Sequence, residues 1–337
     1  MAFRQFLLGF LAFTIVIAAA VWFTLKRDDI PYSRLETAYG QENSIFLDLP
    51  GGLLGHVIDV GPRDAEHTLV LVHGLGDSVS TWSDWIHALQ SDYRLVVIDL
   101  PGHGLTRAPY TYRASVDAAV AFVDDVADAM ELKDFTLVGA SLGGMVAWTY
   151  TLDHPGRVEA LVLVDAKGWE LTDEELGSDP LSDAKNTQDW MRPFLERMDM
   201  TDMLINHFKA AFEDPGLVTD PMKRRISELS LAPGHRRALL DYQLSPHRSA
   251  SARRLETITV PTLVMQGEKD RIVPERCARL FTAAIPNAQL IIYEGAGHLP
   301  HREVPNRSAT DLKAFIASLP AQRADAQPEA ASIVVKR

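Results

Sequence analysis

The chain has almost no cysteine and no cluster of basic residues, and these two absences exclude several classes of protein. Cys277 is the only cysteine among 337 residues, so an intramolecular disulfide and a zinc ribbon are both impossible. The net charge is −12 and no lysine–arginine run is longer than three residues, which argues against a nucleic-acid partner. We expect Cys277 to be a packed core thiol.

The N-terminus holds the longest apolar run of the chain. Residues 6–25 carry no charge, and as a helix they would span about 30 Å, the thickness of the hydrocarbon core. Twelve of them are Phe, Leu, Ile or Val, which favours insertion by about 5 kcal/mol. We predict a membrane protein with one uncleaved anchor at 1–27, facing either side. The alternative is a signal peptide cleaved near Ala18-Ala19-Ala20, which would leave a secreted or periplasmic protein.

The rest of the chain alternates strand-like and helix-like segments, which favours one large α/β domain. A hairpin comes first, and continuous apolar runs follow it, as expected for parallel strands covered on both faces. The predicted strands are 44–49, 54–60, 68–72, 95–98, 135–138, 158–164, 262–266 and 289–293.

Residues 168–257, which we name the cap, interrupt this alternation. The segment is too long for a normal crossover, and its composition is helical and rich in methionine and aromatic residues. The predicted core therefore comprises 28–167 and 258–320, with a disordered tail at 321–337. Cap side chains either wall an apolar substrate pocket or simply pack the cap onto the core. The predicted pocket residues are Trp169, Trp190, Met191, Phe194 and Phe208.

A serine framed by glycines stands where a predicted strand meets a helix. In Gly139-Ala140-Ser141-Leu142-Gly143, small residues two positions before and after the serine let strand and helix close around a sharp turn. The pattern is that of a nucleophile elbow and makes Ser141 the candidate nucleophile. The same five residues also fit an ordinary turn between a strand and a helix. The presence of a histidine and an acid elsewhere in the chain decides between the two interpretations.

A serine nucleophile needs a histidine to take its proton and a carboxylate to orient that histidine. The chain supplies both in the order serine, acid, histidine, each just beyond a strand end. Asp270 follows strand 262–266 and His298 follows strand 289–293. Asp165, after strand 158–164, is the rival acid. We expect His301 to lie at the surface or beside the site.

Acyl transfer also needs hydrogen-bond donors for the oxygen that becomes negative. The predicted donors are the backbone amides of Leu142, after the nucleophile, and Leu75, in the loop after the third strand. His73 lies in that loop and is expected to brace it, because no second ligand stands at metal-binding spacing. We predict no metal and no organic cofactor.

Together these motifs resemble the α/β-hydrolase family over about 68–167 and 259–319. The turn Asp99-Leu100-Pro101-Gly102-His103-Gly104 is typical of the same family, in which Asp99 and His103 are structural. The resemblance implies the α/β-hydrolase fold: a mostly parallel eight-stranded sheet, helices on both faces and a helical cap after strand 6. Within the family, the motifs and N-terminus look like membrane-anchored monoacylglycerol lipases and esterases.

The resemblance implies a serine hydrolase that cleaves carboxylic esters, lipid-like or of medium acyl length, through an acyl-enzyme. Epoxide hydrolases and haloalkane dehalogenases of this fold use an aspartate nucleophile, so Ser141 argues against both. Three alternatives stay open: hydrolysis of carbon–carbon or amide bonds by the same triad, peracid formation, and a non-catalytic ligand receptor. The expected partners are a small ester with an apolar acyl chain and, through the N-terminus, a membrane.

Overall fold

The computed structural model describes residues 2–176, 189–246 and 248–319. Its eight-stranded sheet has the order β1-β2-β4-β3-β5-β6-β7-β8. The strands are β1 (Ser44–Leu49), β2 (Leu53–Val60), β3 (Thr68–Val72), β4 (Arg94–Ile98), β5 (Phe135–Ala140), β6 (Val158–Val164), β7 (Thr262–Gly267) and β8 (Ala288–Tyr293). β2 is antiparallel to both neighbours, and the other pairs are parallel. The predicted mostly parallel sheet is confirmed.

Helices cover both faces of this sheet because successive strand residues alternate between two apolar clusters. One cluster joins Leu69 and Leu71 to α3 and α14, and the other joins Val70 and Val72 to α4, α5 and α12. Cys277 is buried in the second cluster, as predicted, and burial raises the pKa of its thiol to about 11. These helices are α3 (Ser83–Leu89), α4 (Val116–Ala129), α5 (Leu142–Asp153), α12 (Glu275–Ala284) and α14 (Pro305–Ile316).

The chain between β6 and β7 is helical where it is described. Its helices are α6 (Asp173–Leu176), α7 (Arg192–Leu195), α8 (Thr201–Ala211), α9 (Asp220–Ser230), α10 (His235–Leu244) and α11 (Ala252–Leu255). Leu204 and Phe208 of α8 lie within 2.9 and 4.0 Å of a Cβ atom placed at Gly76, so this segment packs directly on the loop after β3. Residues 177–188 and 247, and the predicted tail at 321–337, lie outside the described residues. The domain boundaries stay predictions.

The remaining helices are α1 (Ala2–Leu25), α2 (Tyr32–Tyr39) and α13 (Pro300–Glu303). At the end of α1, the ring of Trp22 packs edge-on against Phe194, with 5.5 Å between ring centroids. Within the described ranges, the structure contains no helix with both the length and the apolar character that a membrane crossing demands. The predicted membrane anchor at 1–27, and the localisation drawn from it, are therefore wrong. The prediction rested on the composition of the run alone, twelve strongly apolar residues within twenty uncharged ones.

Three of the buried histidines have lowered pKa values: His103, His235 and His301. Burial lowers the pKa of His235 to about 4. Burial also holds the pKa values of His103 and His301 well below the ordinary range, with the neighbouring His73 and Arg302 adding to the respective effects. His301 is only 1% exposed, which corrects the expectation that it could lie at the surface; its ring packs against Trp82, 4.5 Å between centroids.

The lowered pKa values of these three histidines predict that the free energy of unfolding falls in acid. Their folded-state pKa values lie below those of the unfolded chain, so the unfolded state binds more protons as the pH falls below about 6.5. For His235 alone, this linkage lowers the free energy of unfolding by about 3 kcal/mol by pH 4. Urea unfolding between pH 7.5 and 4.5 measures the slope of the free energy of unfolding against pH. His235→Gln is expected to flatten it and His87→Gln, at an exposed site, to leave it unchanged; equal slopes in wild type and His235→Gln would contradict the account.

Candidate active site

Ser141 occupies a strained turn between β5 and α5. Its φ is +53° and its ψ is −114°, a conformation that costs a non-glycine residue free energy and recurs at functional sites. The glycines beside it are required by close backbone contacts. A Cβ atom at Gly143 would lie 2.2 Å from the carbonyl oxygen of Val72, and one at Gly139 would lie 2.2 Å from the carbonyl oxygen of Gly143. The turn therefore closes tightly and leaves the serine at its tip.

The loop after β3 passes directly beside this serine. A Cβ atom at Gly74 would lie 3.1 Å from Cβ of Ser141 and 3.7 Å from its Oγ. His73 braces the loop, as expected: its Nδ1 donates to the Gly74 carbonyl at 2.7 Å, and its Nε2 accepts from the Leu100 amide at 3.1 Å. Leu75 follows Gly74 in this loop. Leu142 is the first residue of α5, where helical amides point outward without helical partners.

Asp99 holds the neighbouring loop after β4. Its carboxylate accepts hydrogen bonds from His56 Nδ1 at 2.6 Å, from the Val79 amide at 2.7 Å and from the Leu105 amide at 2.8 Å. Asp99 is buried, and burial alone would raise the pKa of its carboxyl group. The hydrogen bond from His56 and the charge of His56 outweigh this effect and lower that pKa. Asp99 is therefore a structural residue, as expected from its place in the turn.

Asp270 and His298 are brought into direct contact. Nδ1 of His298 lies 2.7 Å from Oδ2 of Asp270, and both side chains are buried. Asp270 is the acceptor of this bond, which fixes the proton on Nδ1 and leaves Nε2 as the basic nitrogen. Nε2 is buried and has no hydrogen-bond partner among the described residues. The geometry thus offers an imidazole whose second ring nitrogen is free to accept a proton.

Asp270 is itself fixed by its neighbours. Its Oδ1 accepts from the amides of Ile272 at 2.7 Å and Val273 at 2.9 Å. Its Oδ2 accepts from Nε2 of Gln266 at 3.1 Å. Gln266, fully buried in β7, was missed by the sequence analysis, although a polar side chain at the end of an apolar strand was the available signal.

The histidine loop is tied to the end of α8. The amide of His298 donates to the Ala211 carbonyl at 2.6 Å. Glu303 bridges the two segments, because its carboxylate accepts from the Gly297 amide at 2.8 Å and from the Glu213 amide at 2.9 Å. Burial raises the pKa of Glu303 against these hydrogen bonds. The sequence analysis also missed these contacts, because no local sequence pattern indicates a hydrogen bond between segments so far apart in the chain.

The rival acid, Asp165, lies in the same site. It is 1% exposed and has φ of +45°, and its Oδ1 accepts from the Gly267 amide at 2.9 Å. One ligand-type atom from each of Asp165, Asp270 and His298 lies within 4.8 Å of the others, the one such acid–histidine group among the described residues. This spacing could hold a metal ion, but Nδ1 of His298 and Oδ2 of Asp270 already bond to each other. Both acids therefore lie near the histidine, and Asp270 is the one hydrogen-bonded to its Nδ1.

The predicted pocket residues are dispersed. Phe208 is buried, and its ring comes within 4.0 Å of a Cβ atom placed at Gly76, beside the loop after β3. Trp169 packs edge-on against Phe281, at 5.9 Å between centroids. Trp190 is 71% exposed and Phe194 52% exposed, and Met191, beside them, is partly buried. Phe208 is therefore the predicted pocket residue with a described contact near the serine.

Comparisons with known proteins agree with this fold. A protein-family model described as alpha/beta hydrolase fold matches residues 67–303. The 2-hydroxy-6-oxo-2,4-heptadienoate hydrolase of Pseudomonas putida is 29% identical over 261 residues, which cover 74% of this chain and 88% of that protein. Lipase 1 of Psychrobacter immobilis is 27% identical over 267 residues, covering 77% and 80% of the two chains. The solved structure of a meta-cleavage product hydrolase from Pseudomonas fluorescens superposes with a TM-score of 0.69 at 25% identity, covering 81% of this chain and 97% of that one.

The elbow predicts that Gly143→Ala destabilises the protein. The new methyl group would meet backbone oxygens of Val72 and His73, which cannot move without shifting β3, so we expect a loss of about 1–3 kcal/mol or more in the free energy of unfolding. Gly9→Ala is the matched control, because nothing lies within 4 Å of its Cβ position. Urea unfolding of both variants tests this, and equal stabilities would show that the elbow is less crowded than described.

Proposed function

The chain belongs to the α/β-hydrolase fold family and is a hydrolase, and we propose that it cleaves carboxylic esters with Ser141 as nucleophile, His298 as general base and acid, and Asp270 as the carboxylate that orients the histidine. The observation that carries the proposal is the hydrogen bond of 2.7 Å between His298 and Asp270, with Nε2 unpaired as far as the described residues go. The strained elbow at Ser141 supports it. No metal or organic cofactor is part of the proposal.

In the first half of the reaction, Oγ of Ser141 attacks the ester carbonyl carbon while Nε2 of His298 takes the hydroxyl proton. The carbonyl oxygen becomes negative, and the amides of Leu75 and Leu142 donate hydrogen bonds to it. The tetrahedral intermediate then collapses. The bond to the alcohol oxygen breaks, His298 returns its proton to that oxygen, and the acyl group stays on Ser141.

In the second half, water replaces the alcohol. His298 takes a proton from the water, whose oxygen attacks the acyl carbon, and the same two amides hold the second oxyanion. Collapse breaks the bond to Ser141 Oγ, which regains its proton from His298, and a carboxylic acid leaves. Asp270 keeps its negative charge throughout and stabilises the imidazolium form of His298 in both halves.

A lipid-like or medium-chain ester is the proposed substrate. Apolar side chains of α8, including Leu204 and Phe208, pack against the loop after β3 and are buried, which supports an apolar acyl group beside the serine. Similarity to a lipase at 27% identity supports the same class.

A phosphonate probe tests the nucleophile directly. Fluorophosphonates react with a serine activated by a histidine, so we expect labelling of the wild type and none of Ser141→Ala. Ser318→Ala, at an exposed serine, should be labelled like the wild type. Removing Ser141 or His298 is expected to lower kcat by about 10⁴- to 10⁶-fold, and Asp270→Asn by about 10⁴-fold. Folded wild-type protein that takes no label at neutral pH would favour a ligand receptor over an enzyme.

Hydrolysis of a carbon–carbon bond in an acidic dienoate is the second candidate. Similarity to the heptadienoate hydrolase at 29% identity favours it. So does Arg302, four residues after His298: Nη1 of its guanidinium is buried without a hydrogen-bond partner among the described residues, and the group lies 5.1 Å from the ring centroid of Phe212. The other terminal nitrogen, Nη2, donates to Sδ of Met222 at 3.5 Å, so Nη1 is the part of the guanidinium suited to binding a substrate carboxylate.

Paired substrate measurements separate the two candidates. We expect neutral aryl esters of increasing acyl length to be cleaved, with kcat/KM rising as apolar surface is added. If the dienoate is the substrate instead, Arg302→Met should raise its KM by about ten- to a hundredfold, the loss of a hydrogen bond between charged groups. Arg279→Met, at an exposed arginine paired with Glu275, is the control. Efficient dienoate cleavage without ester cleavage would contradict the ester assignment.

A further inference from the structure

Asp165 brings into the candidate site a second carboxyl group that the proposed mechanism does not use. Its side chain is buried, and its Oδ1 accepts one hydrogen bond, from the amide of Gly267 at 2.9 Å. Its Oδ2 is buried and has no hydrogen-bond partner among the described residues. An oxygen of Asp165 lies within 4.8 Å of both an oxygen of Asp270 and a ring nitrogen of His298.

Two buried carboxylates at this separation cannot both be ionised without a large repulsion. Asp270 receives hydrogen bonds from Ile272, Val273, Gln266 and His298, and these donors stabilise its negative form. Asp165 receives a single one. The charge therefore belongs on Asp270, and the neutral form belongs on Asp165.

Asp270 also has room for another donor. Nε2 of Gln266 carries two hydrogens but faces three acceptors: Oδ2 of Asp270 at 3.1 Å and the carbonyl oxygens of Gly267 at 3.2 Å and Val273 at 3.1 Å. At most two of these can be full hydrogen bonds at one time. A proton on the unpartnered Oδ2 of Asp165 would satisfy that buried oxygen and add a donor to Asp270.

We propose that Asp165 is a protonated positioning residue, whose neutral carboxyl group donates a hydrogen bond to Asp270 and holds that carboxylate in place behind His298. Its role in turnover rests on the proposed function, whereas its protonation does not. The positive φ of Asp165 shows that the backbone accepts strain where it aims this side chain into the site.

The titratable groups around Asp165 favour this state. Burial and then the charge of Asp270 raise the pKa of Asp165 well above the ordinary range, and Glu303 adds to the effect. His298 lies on the far side of Asp270 and pairs with that residue. Tyr293 of β8, whose hydroxyl donates to Asp311 at 3.0 Å, has a raised pKa and stays neutral.

Infrared difference spectroscopy at neutral pH tests the protonation without any substrate. We expect the wild type to show the C=O stretch of a protonated carboxyl that Asp165→Asn lacks. Asp59→Asn is the matched control: its buried carboxylate is paired with Arg94 at 3.0 Å, and its replacement should leave the band in place. If wild type and Asp165→Asn have the same protonated-carboxyl bands, the proposal is overturned, whatever the enzyme's substrate proves to be.

Kinetics on a cleaved ester then test the positioning role. Asparagine keeps a neutral donor, so Asp165→Asn should retain most of the activity and keep the acid limb of its kcat/KM profile at the wild-type pH. Asp165→Ala removes the donor and should lower kcat by about ten- to a hundredfold, with KM little changed. An ionised Asp165 would give the opposite signature: Asp165→Asn would move the acid limb by about one pH unit toward acid, because a negative charge near His298 is lost. If no ester is cleaved but the infrared band is found, the proposed function fails and the protonated carboxyl stands.

Discussion

The hydrogen bond between Nδ1 of His298 and Oδ2 of Asp270 is the interaction on which the site depends. It selects one tautomer of the imidazole, and it places the basic nitrogen on the side away from the acid. Without it, the histidine would have neither a fixed orientation nor a counter-charge for its protonated form. Both side chains are buried, so the pair acts where water screens it little.

The sheet supplies this bond by placing distant residues at one edge. Ser141 follows β5, Asp165 follows β6, Asp270 follows β7 and His298 follows β8, and these four strands are neighbours in the parallel sheet. Parallel strands end at the same edge, so residues far apart in the chain meet there. The loops are then fixed from outside the core, because Glu303 and the His298 amide bond to the segment that ends α8. The position of His298 is therefore fixed by contacts with the sheet and with the segment at the end of α8.

The sequence predicted the sheet closely, because continuous apolar runs report strands buried on both faces. β1, β3 and β6 begin and end where expected, and the other strands differ at their ends by one or two residues. The elbow was also readable, since Gly139 and Gly143 are required by contacts that any side chain would break. What could not be read were contacts between segments: Glu303 joining the histidine loop to the end of α8, and the short separation of Asp165 from Asp270. The membrane prediction rested on the composition of one uncharged run, and no helix among the described residues has the length and apolar character of a membrane span.

The central claim is that catalysis passes through an ester bond to Ser141. Rapid quenching during the first turnover of an aryl ester, followed by mass spectrometry of the digested protein, measures this directly. The account predicts that the peptide carrying Ser141 gains the mass of the acyl group while one equivalent of alcohol is released in a burst. Turnover with no acylated peptide, or with the acyl group on another residue, would contradict it.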